Sequence, residues 1–348
     1  MTTPSVLPFI HAQGSWGEIG RQVGQMLQPA IVRHLEDWTR HVMRETGCAR
    51  GAVEEAAAPY ARPIQDHTPF LWEELDGLSR GSGIPVSRLL ILQARAEVMR
   101  ANNRPSPECT TLAITGRRTG GDTLIGQNVD LVPFVAEYGV VIRQMPKGLP
   151  ATLLYTTAGL LGHNGINEAG VGVCANSIDD PAGWGDGLPR YLLSRLALRA
   201  DDRGTLLDIE ALREQAAVLH GADGLLVHAN HLEAPEFQGL EKPSDNSLAR
   251  RERMEELLQD ARTPVTVADI QNVYRDHANA PHSLCAHPFP GRNLETVVSI
   301  IGDLTHRELH ATKGAPCRAP YATYTIATCR TGALSVTVRD NFQPAFSD

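Results

Sequence analysis

The chain has 348 residues, and 32 Lys and Arg stand against 40 Asp and Glu, which gives a formal charge of −8. An acidic chain without a basic run is poorly suited to neutralising phosphates, so a nucleic-acid partner is not expected. With 42% hydrophobic and 21% charged residues, the composition is that of a globular protein and not of a disordered one. It allows one large core or two domains.

Neither a signal peptide nor a membrane span is predicted. The first residues lack the basic and apolar stretches of a signal peptide. The longest uncharged run, 148–167, carries Thr, Asn, His, Pro and several Gly, so it does not suit a lipid-facing helix. Six cysteines without a CxxC pair indicate free thiols. We therefore expect a cytoplasmic protein with no membrane partner.

The N-terminal third is predicted to be helical. Apolar residues recur at helical spacing over 15–45, 52–64, 67–79 and 85–99. Ser15 and Glu18 form a capping box at the start of the first helix, and we expect Pro29 to break or kink that helix. A polar segment with two prolines then ends the helical region. This boundary divides the chain into a mainly helical segment, 1–108, and a core, 109–348.

The core is predicted to contain strand pairs followed by helix pairs. Strands are expected over 109–115, 123–131, 137–144, 151–157, 170–176, 224–229, 296–302, 308–312 and 322–326. Helices are expected over 189–200, 208–218, 247–260 and 267–274. This order favours an α+β fold with sheets between helical layers over the strict alternation of a doubly wound fold.

One group of residues has the side-chain types of a zinc site. It consists of His277, His282, Cys285 and His287. Their spacing matches no standard zinc motif, and a proline-rich loop with neutral imidazoles explains them better. We therefore expect neither a metal ion nor another cofactor.

Cys109 is the cysteine whose position suggests chemistry. It follows the proline-rich segment and begins a predicted strand as Cys-Thr-Thr. A cut between Glu108 and Cys109 would create an N-terminal cysteine. Its α-amine, with a pKa of about 8, could exchange a proton with a thiol whose pKa is about 8.5. On position alone, a buried strand cysteine is the simpler interpretation.

Motifs along nearly the whole chain change that interpretation. They are Gly17-Glu18-Ile19-Gly20, Cys109-Thr110-Thr111, Gly126-Gln127-Asn128-Val129-Asp130, 158–162, 165–172, His228-Ala229-Asn230-His231, Ser247-x-x-Arg250-x-x-Arg253, 282–285 and 299–303. Each motif is weak alone. Their order and spacing together resemble the peptidase C45 family, the acyltransferase-like N-terminal-nucleophile hydrolases.

The resemblance implies an αββα sandwich and a precursor that cuts itself between Glu108 and Cys109. The two resulting chains would stay associated as a heterodimer, with a higher oligomer possible. Carried over residue by residue, Cys109 would be the nucleophile and, through its freed amine, the base. Asp130 matches the aspartate that orients this amine. Asn230 matches the asparagine that donates to the oxyanion, a contact worth about 3 kcal/mol in other acyl-transfer enzymes.

The chain departs from the family pattern at two positions. Glu108 stands where the family has glycine before its nucleophile. The family's active-site arginine aligns with Asn293 without a gap and with Arg292 after a shift of one residue, and we assign Arg292.

The acyl pocket is expected along two glycine-containing stretches, 159–176 and 181–189. Asn128, Asn176 and Trp184 are the expected substrate contacts.

The resemblance implies an enzyme that cleaves a linear, nonpeptide amide bond through an acyl-enzyme on Cys109. Its partner would be a small-molecule amide or acyl donor. An acyl-CoA-dependent N-acyltransferase of the same family is one alternative. An uncleaved thiol hydrolase that pairs Cys109 with His228 or His282 is another, and a non-catalytic ligand-binding homologue is the third. The stretch 148–182 contains no Lys or Arg, which favours hydrolysis of a neutral or cationic amide over a CoA thioester.

Overall fold

The structure is a computed structural model of the continuous chain. It describes residues 6–100, 108–179, 187–201, 206–212, 215–326 and 336–338. Within these ranges no helix is both long and apolar enough to cross a lipid bilayer.

The N-terminal segment is one strand followed by helices. These elements are β1 (Phe9–Gly14), α1 (Trp16–Thr46), α2 (Arg50–Ala57), α3 (Ala61–His67), α4 (Pro69–Ser82), α5 (Val86–Gln93) and α6 (Arg95–Arg100). The capping box of Ser15 and Glu18 is present at the start of α1, as predicted. The first strand was not predicted. It pairs in parallel with a strand of the core, so the N-terminal segment contributes to a core sheet.

In its described ranges, the core contains the remaining strands and three α-helices. The strands are β2 (Glu108–Ile114), β3 (Leu124–Leu131), β4 (Gly139–Pro146), β5 (Thr152–Thr157), β6 (Asn164–Asn167), β7 (Gly172–Val173), β8 (Leu207–Ala211), β9 (Ala216–His220), β10 (Leu225–His228), β11 (Glu295–Asp303), β12 (Glu308–Ala311), β13 (Ala322–Thr325) and β14 (Val336–Val338). The helices are α7 (Arg190–Ala197), α8 (Asp245–Asp260) and α9 (Val267–Tyr274).

Two sheets form the centre of the molecule. One sheet has the order β1-β4-β5-β6-β7, and the other has the order β10-β2-β3-β11-β12-β13-β14. Helix α1 packs against the first sheet at β1 and β4, and α8 and α9 pack against the second sheet at β2, β3, β10 and β11. The predicted α+β fold is confirmed as an αββα sandwich.

Strand alternation explains why four layers form. In β11, Ile300 joins the core between the two sheets, where it clusters with Ile166 of β6. The next residue, Ile301, faces the other way and clusters with Met254 of α8 and Ile270 of α9. Since successive side chains in a strand point to opposite faces, a strand that is apolar on both faces requires a cover on each side.

Strands β2 and β3 bring the predicted cysteine and aspartate close together. In their antiparallel register Glu108 lies opposite Asp130, and Cys109 lies opposite Val129. By alternation, the Cys109 side chain points between the two sheets, where it belongs to the same apolar cluster as Val129. The side chains of Glu108 and Asp130 point to the other face, toward the layer of α8 and α9.

The predicted helix over 208–218 is wrong. The described residues there form the antiparallel hairpin of β8 and β9. Burial alternates along β8 and leaves Ile209 exposed while Glu210 is buried. Glu210 accepts hydrogen bonds from His228 and from the backbone N–H groups of Glu233 and Ala234. A tertiary contact of a carboxylate therefore decides which face of this segment is buried, and apolar spacing does not reveal it.

Of the break or kink expected at Pro29, the break is also wrong. Helix α1 continues through this residue as one helix. Leu27, Ile31 and Leu35 are buried on either side of the proline, which is itself exposed. Burial of this apolar stripe, worth about 1.5–3 kcal/mol for each large side chain, outweighs the cost of about 3 kcal/mol for an internal proline. The strand expected over 170–176 is limited to Gly172–Val173.

Candidate active site

Cys109 is the second residue of β2 and is 2% exposed. Its backbone N–H donates to Asn230 Oδ1 over 2.8 Å. Burial raises the pKa of the thiol to about 11, although the charge of Arg190 and a hydrogen bond with Gln127 act in the opposite direction. In the continuous chain, the Cys109 thiol is therefore protonated at neutral pH.

Asn230 follows β10 and is fixed at both its backbone and its side chain. Its backbone N–H donates to Ser247 Oγ over 2.7 Å, and its Nδ2 donates to the carbonyl of Ser177 over 2.9 Å. The oxygen of the amide, and not the nitrogen, faces the N–H of Cys109. The structure thus places Asn230 beside Cys109. If Asn230 donates to an oxyanion, as predicted, the donor would be the second N–H of its Nδ2, since the first donates to Ser177.

Arg250 of α8 lies at the centre of the site, and the sequence analysis did not assign it a role. Its Nη1 donates to the carbonyl of Cys109 over 2.5 Å and to Thr110 Oγ1 over 2.6 Å, and its Nη2 donates to Asn230 Oδ1 over 2.8 Å. The side chain is 1% exposed. A sequence signal exists, because Arg250 shares the buried stripe of α8 with Ser247, Met254 and Leu258. A charged residue at a core position requires a buried partner.

Asp130 lies across the strand pair from Glu108 and is fully buried. Its Oδ1 accepts a hydrogen bond from Thr296 Oγ1 over 2.7 Å. Its Oδ2 is buried without a hydrogen-bond partner among the described residues. Burial raises the pKa of this carboxyl to about 6, although the charge of Arg250 and the hydrogen bond from Thr296 lower it. The unsatisfied oxygen leaves one acceptor beside the Glu108–Cys109 bond.

Arg292 lies in the segment before β11 and contacts Glu108, the residue before Cys109. Its guanidinium forms an ion pair with the carboxylate of Glu108, in which Nε is 3.2 Å from Oε1 and Nη2 binds Oε2. Arg250 Nη2 is 3.8 Å from the same Glu108 Oε2. Together with Phe289 and Asn293, Arg292 also lines a cavity of about 510 Å³. Arg292, which follows the family pattern only after a shift of one residue, is thus in contact with Glu108, the residue before Cys109.

On the other face of the strands, the Cys109 thiol has polar neighbours. Gln127 lies opposite Thr111, which shares the face of Cys109. Asn176 donates to Thr111 Oγ1 over 3.0 Å and accepts from Gln127 Nε2 over 3.3 Å. Arg190 reaches the carbonyl of Ala175 over 3.5 Å. The structure therefore brings Asn176 to the thiol side of the sheet.

Asn128, another expected substrate contact, is not found there. Asn128 is buried on the opposite face, where its Nδ2 donates to the carbonyls of Tyr274 over 3.0 Å and Leu284 over 2.8 Å. Asn128 lies opposite Thr110 in the register, so alternation directs its side chain away from the thiol. The prediction that Asn128 faces the thiol as a substrate contact is therefore corrected. Asn128 instead binds the end of α9 and the segment after it. Trp184 lies outside the described residues.

The histidines proposed as alternative bases have other partners. His228 Nε2 is 3.0 Å from Glu210 Oε1, and its Nδ1 is 3.2 Å from Asn176 Nδ2. Burial disfavours the charged form of His228, but Glu210 and Asp208 together outweigh burial and raise its pKa to about 8. His282 Nδ1 is 3.0 Å from Asn246 Nδ2. In the described part of the chain, hydrogen bonds thus direct both imidazoles to groups other than Cys109.

The αββα sandwich with these sheet orders is the fold of the N-terminal-nucleophile hydrolases. The chain is 24% identical over 336 residues to the acyl-coenzyme A:6-aminopenicillanic-acid-acyltransferase, 40 kDa form, of Emericella nidulans, and the match covers 88% of this chain and 92% of that protein. No family model matches the chain. The curated relative confirms the resemblance predicted from the motifs, and the chain is an enzyme of the acyltransferase and amidohydrolase type.

Solved structures show a looser similarity. A variant of conjugated bile acid hydrolase from Clostridium perfringens is 11% identical, with a TM-score of 0.45, and the match covers 69% of this chain and 99% of that chain. The N-acylethanolamine-hydrolyzing acid amidase ortholog of Caenorhabditis elegans is 15% identical, with a TM-score of 0.37, and the match covers 56% of this chain and 93% of that chain. The fold assignment therefore rests on the sheet topology itself.

Proposed function

We propose that the protein is a cysteine N-terminal-nucleophile hydrolase that cuts its own chain before Cys109 and then cleaves a linear, nonpeptide amide bond. The convergence of polar groups on the Glu108–Cys109 peptide bond carries this proposal. Asn230 accepts from the N–H of that bond, Asp130 lies across the strand from it, and Arg292 holds the Glu108 side chain. A merely structural strand cysteine does not require this set of groups.

Self-cleavage would begin with attack of the Cys109 sulfur on the carbonyl carbon of Glu108. The C–N bond breaks, the nitrogen takes a proton to become the free α-amine of Cys109, and Glu108 is held as a thioester. Water then hydrolyses the thioester, which leaves a C-terminal carboxylate on the main chain of Glu108 and a thiol on Cys109. The raised pKa of the buried thiol disfavours the thiolate, so this first attack is expected to be slow.

In the processed enzyme, the Cys109 amine would take the thiol proton, and the sulfur would attack the acyl carbon of the substrate. Asn230 Nδ2 already donates one N–H to Ser177 and would donate the other to the oxyanion, together with a backbone N–H. The amine would return its proton to the departing amine of the substrate. Asp130 would support the protonated amine, since its Oδ2 has no partner among the described residues.

Acyl transfer is the second candidate, and two observations favour it. The curated relative is an acyltransferase whose name includes an acyl-coenzyme A. In addition, the positive charges of Arg190 and Arg250 lower the pKa of the Cys109 thiol. These cations are present although the sequence stretch 148–182 contains no Lys or Arg. Binding of an anionic thioester is therefore electrostatically more favourable than the sequence indicated. Comparing kcat/KM for a panel of acyl-CoA thioesters and N-acyl amines separates the two reactions, and a tenfold preference corresponds to about 1.4 kcal/mol in the barrier.

Denaturing mass spectrometry of the purified protein tests the self-cleavage. We expect two fragments, one ending at Glu108 and one beginning at Cys109. Cys109→Ala should give a single chain, and Cys109→Ser should be cut more slowly because its hydroxyl is a poorer nucleophile. Cys48→Ala is the matched control, since this thiol is half-buried and accepts from Thr46 of α1, so it should be cut like the wild type. A wild-type chain that stays whole and still turns over substrate would refute the proposal.

A further inference from the structure

Four side chains with the donor atoms of a zinc site converge in the segments that follow α9 and β12. This Cys₂His₂ cluster consists of His277, Cys285, His287 and Cys317. One donor atom of each residue lies within 4.8 Å of those of all the others. The first three residues precede β11, and Cys317 comes from the connection between β12 and β13. Both cysteines are buried, with exposures of 0% and 3%.

The distances within the cluster are close to the edges of a tetrahedral metal site, and the two imidazole nitrogens lie somewhat nearer to each other than such an edge. His287 Nε2 is 3.0 Å from His277 Nε2, 3.3 Å from Cys317 Sγ and 3.7 Å from Cys285 Sγ. With Zn–N bonds of about 2.0–2.1 Å and Zn–S bonds of about 2.3 Å, ligand atoms around a tetrahedral zinc ion lie about 3.3–3.8 Å apart. The two imidazole rings are stacked, with centroids 5.1 Å apart and an interplanar angle of 16°.

We propose that the Cys₂His₂ cluster binds one zinc ion as a closed, structural site. Binding would displace the thiol protons of both cysteines, and each imidazole would bind the metal through the lone pair of its Nε2. Two thiolates balance the charge of Zn²⁺, so the complete site is neutral, which suits a buried position. The ligand set has no place for water, so the zinc ion would serve folding and not the acyl chemistry at Cys109.

The sequence indicated no metal because only three of the four ligands lie near one another along the chain. His282, which the sequence grouped with them, instead contacts Asn246 on α8. The fourth ligand, Cys317, lies far along the chain and is brought in by the pairing of β11 with β12. The expectation that no metal is bound is therefore replaced by this proposal.

A disulfide between Cys285 and Cys317 is the competing use of the same thiols. It would use neither imidazole, and His277 and His287 would be joined by the hydrogen bond between their Nε2 atoms over 3.0 Å. Both cysteines are free thiols in the structure. The zinc site uses all four donors, and the disulfide uses two.

The proposed site would also support the active site. Between Cys285 and His287, the backbone N–H of Ala286 donates to Thr296 Oγ1, and this hydroxyl donates to Asp130. The same segment continues to Arg292 at the Glu108 carboxylate. A metal that joins this segment to the connection after β12 would fix the positions of both groups.

Elemental analysis of the full, untagged protein tests the proposal. After expression with zinc in the medium and removal of loosely bound metal, we expect close to one equivalent of zinc per chain. Protein produced with cobalt instead should show the thiolate-to-cobalt charge-transfer band and the strong d–d bands of a tetrahedral Co(II) site. These spectra report the ligands directly and do not depend on activity.

Matched variants assign the metal to the cluster. Cys317→Ser should lose most of the metal and lower the melting temperature, because structural zinc contributes to folding. His282→Gln, from the same segment, should keep the metal, and so should Cys48→Ser. If Cys317→Ser does not fold, the cobalt spectrum of the wild type decides alone. Folded wild-type protein with less than about a tenth of an equivalent of zinc and no cobalt thiolate band, or with an intact mass showing a disulfide, would overturn the proposal.

Discussion

Under the proposed self-cleavage, the carboxyl of Asp130 would be costly to the precursor and useful to the processed enzyme. It is fully buried, and only one of its oxygens has a hydrogen-bond partner among the described residues. In the precursor the adjacent nitrogen of Cys109 is a neutral amide. After cleavage it would be an amine that can carry a positive charge, and this charge would offset the burial of the carboxylate.

This view predicts a pH-dependent effect of Asp130→Asn in an unprocessed Cys109→Ala background. The folded chain holds the Asp130 proton up to about pH 6, whereas the unfolded chain loses it near pH 4. The folded state binds more protons in this window, so the contribution of Asp130 to stability falls as the pH rises from about 4 to 6. Asn is nearly isosteric and keeps an acceptor for Thr296.

Asp130→Asn should therefore stabilise this background by about 2–3 kcal/mol at pH 7 relative to its effect at pH 4. Urea unfolding at the two pH values measures the difference. Asp66→Asn is the control, since Asp66 lies on α3 in an exposed ion pair with Arg62. An identical effect of Asp130→Asn at both pH values would show that burial does not raise the pKa of this carboxyl.

Strand alternation and family motifs predicted part of the site at the level of residues. They placed Cys109, Asp130 and Asn230 in one region, and the structure brings these residues together. One of the motifs included Arg250 but assigned it no role, because an arginine within a polar helix resembles an ordinary surface residue unless the buried stripe of that helix is identified. They also misplaced Asn128, because knowing which face of a strand carries the thiol requires knowing which sheet lies on that side.

The packing of α1 against α4 depends on glycine at close helix contacts. A Cβ atom on Gly20 would lie 1.9 Å from the carbonyl oxygen of Glu74, and one on Gly77 would lie 2.1 Å from that of Gly17. The neighbouring atoms are backbone, which cannot move aside as a flexible side chain can. The two helices can therefore approach this closely only where the contact residues lack side chains.

Gly20→Ala is predicted to destabilise the fold by about 1–3 kcal/mol, the usual cost of overpacking, in the unprocessed Cys109→Ala background. An alanine in a helix without steric hindrance is favourable by up to about 1 kcal/mol relative to glycine. Gly51 of α2 provides the matched control, because a Cβ there has no atom within 4 Å. Gly51→Ala should thus be neutral or stabilising in the same urea unfolding experiment. Equal effects of the two substitutions would contradict the close packing of α1 and α4.

At the level of elements, periodicity was informative where one face is buried by apolar residues. Helix α9 and strand β3 occur close to the predicted positions for this reason. The hairpin of β8 and β9 was missed because its buried position holds Glu210, which is stabilised by His228 from another strand. The strand β1 was missed because its partner, β4, lies far away in the sequence.

At the level of the whole molecule, the N-terminal segment is attached to the core in several ways. Strand β1 pairs with β4, so it is part of a core sheet. His34 Nδ1 lies 2.7 Å from the carbonyl of Ala158, and Gln93 Nε2 donates to the carbonyl of Gly159 over 2.7 Å. Arg195 of α7 forms a buried ion pair with Glu74 of α4 over 2.7 Å. A cut before Cys109 breaks none of these contacts.

We therefore predict that the two fragments remain associated after self-cleavage. Processed protein should elute from a native size-exclusion column as one species that contains both fragments in equal amounts, and urea should separate them. Glu74→Gln should lower the urea concentration of this separation, because it leaves Arg195 buried without a charged partner, at a cost of about 3–5 kcal/mol. Asp66→Asn removes the exposed pair with Arg62. It should change the free energy of separating the fragments by less than about 1 kcal/mol. Separation of the fragments on the native column would show instead that the peptide bond itself holds the N-terminal segment in place.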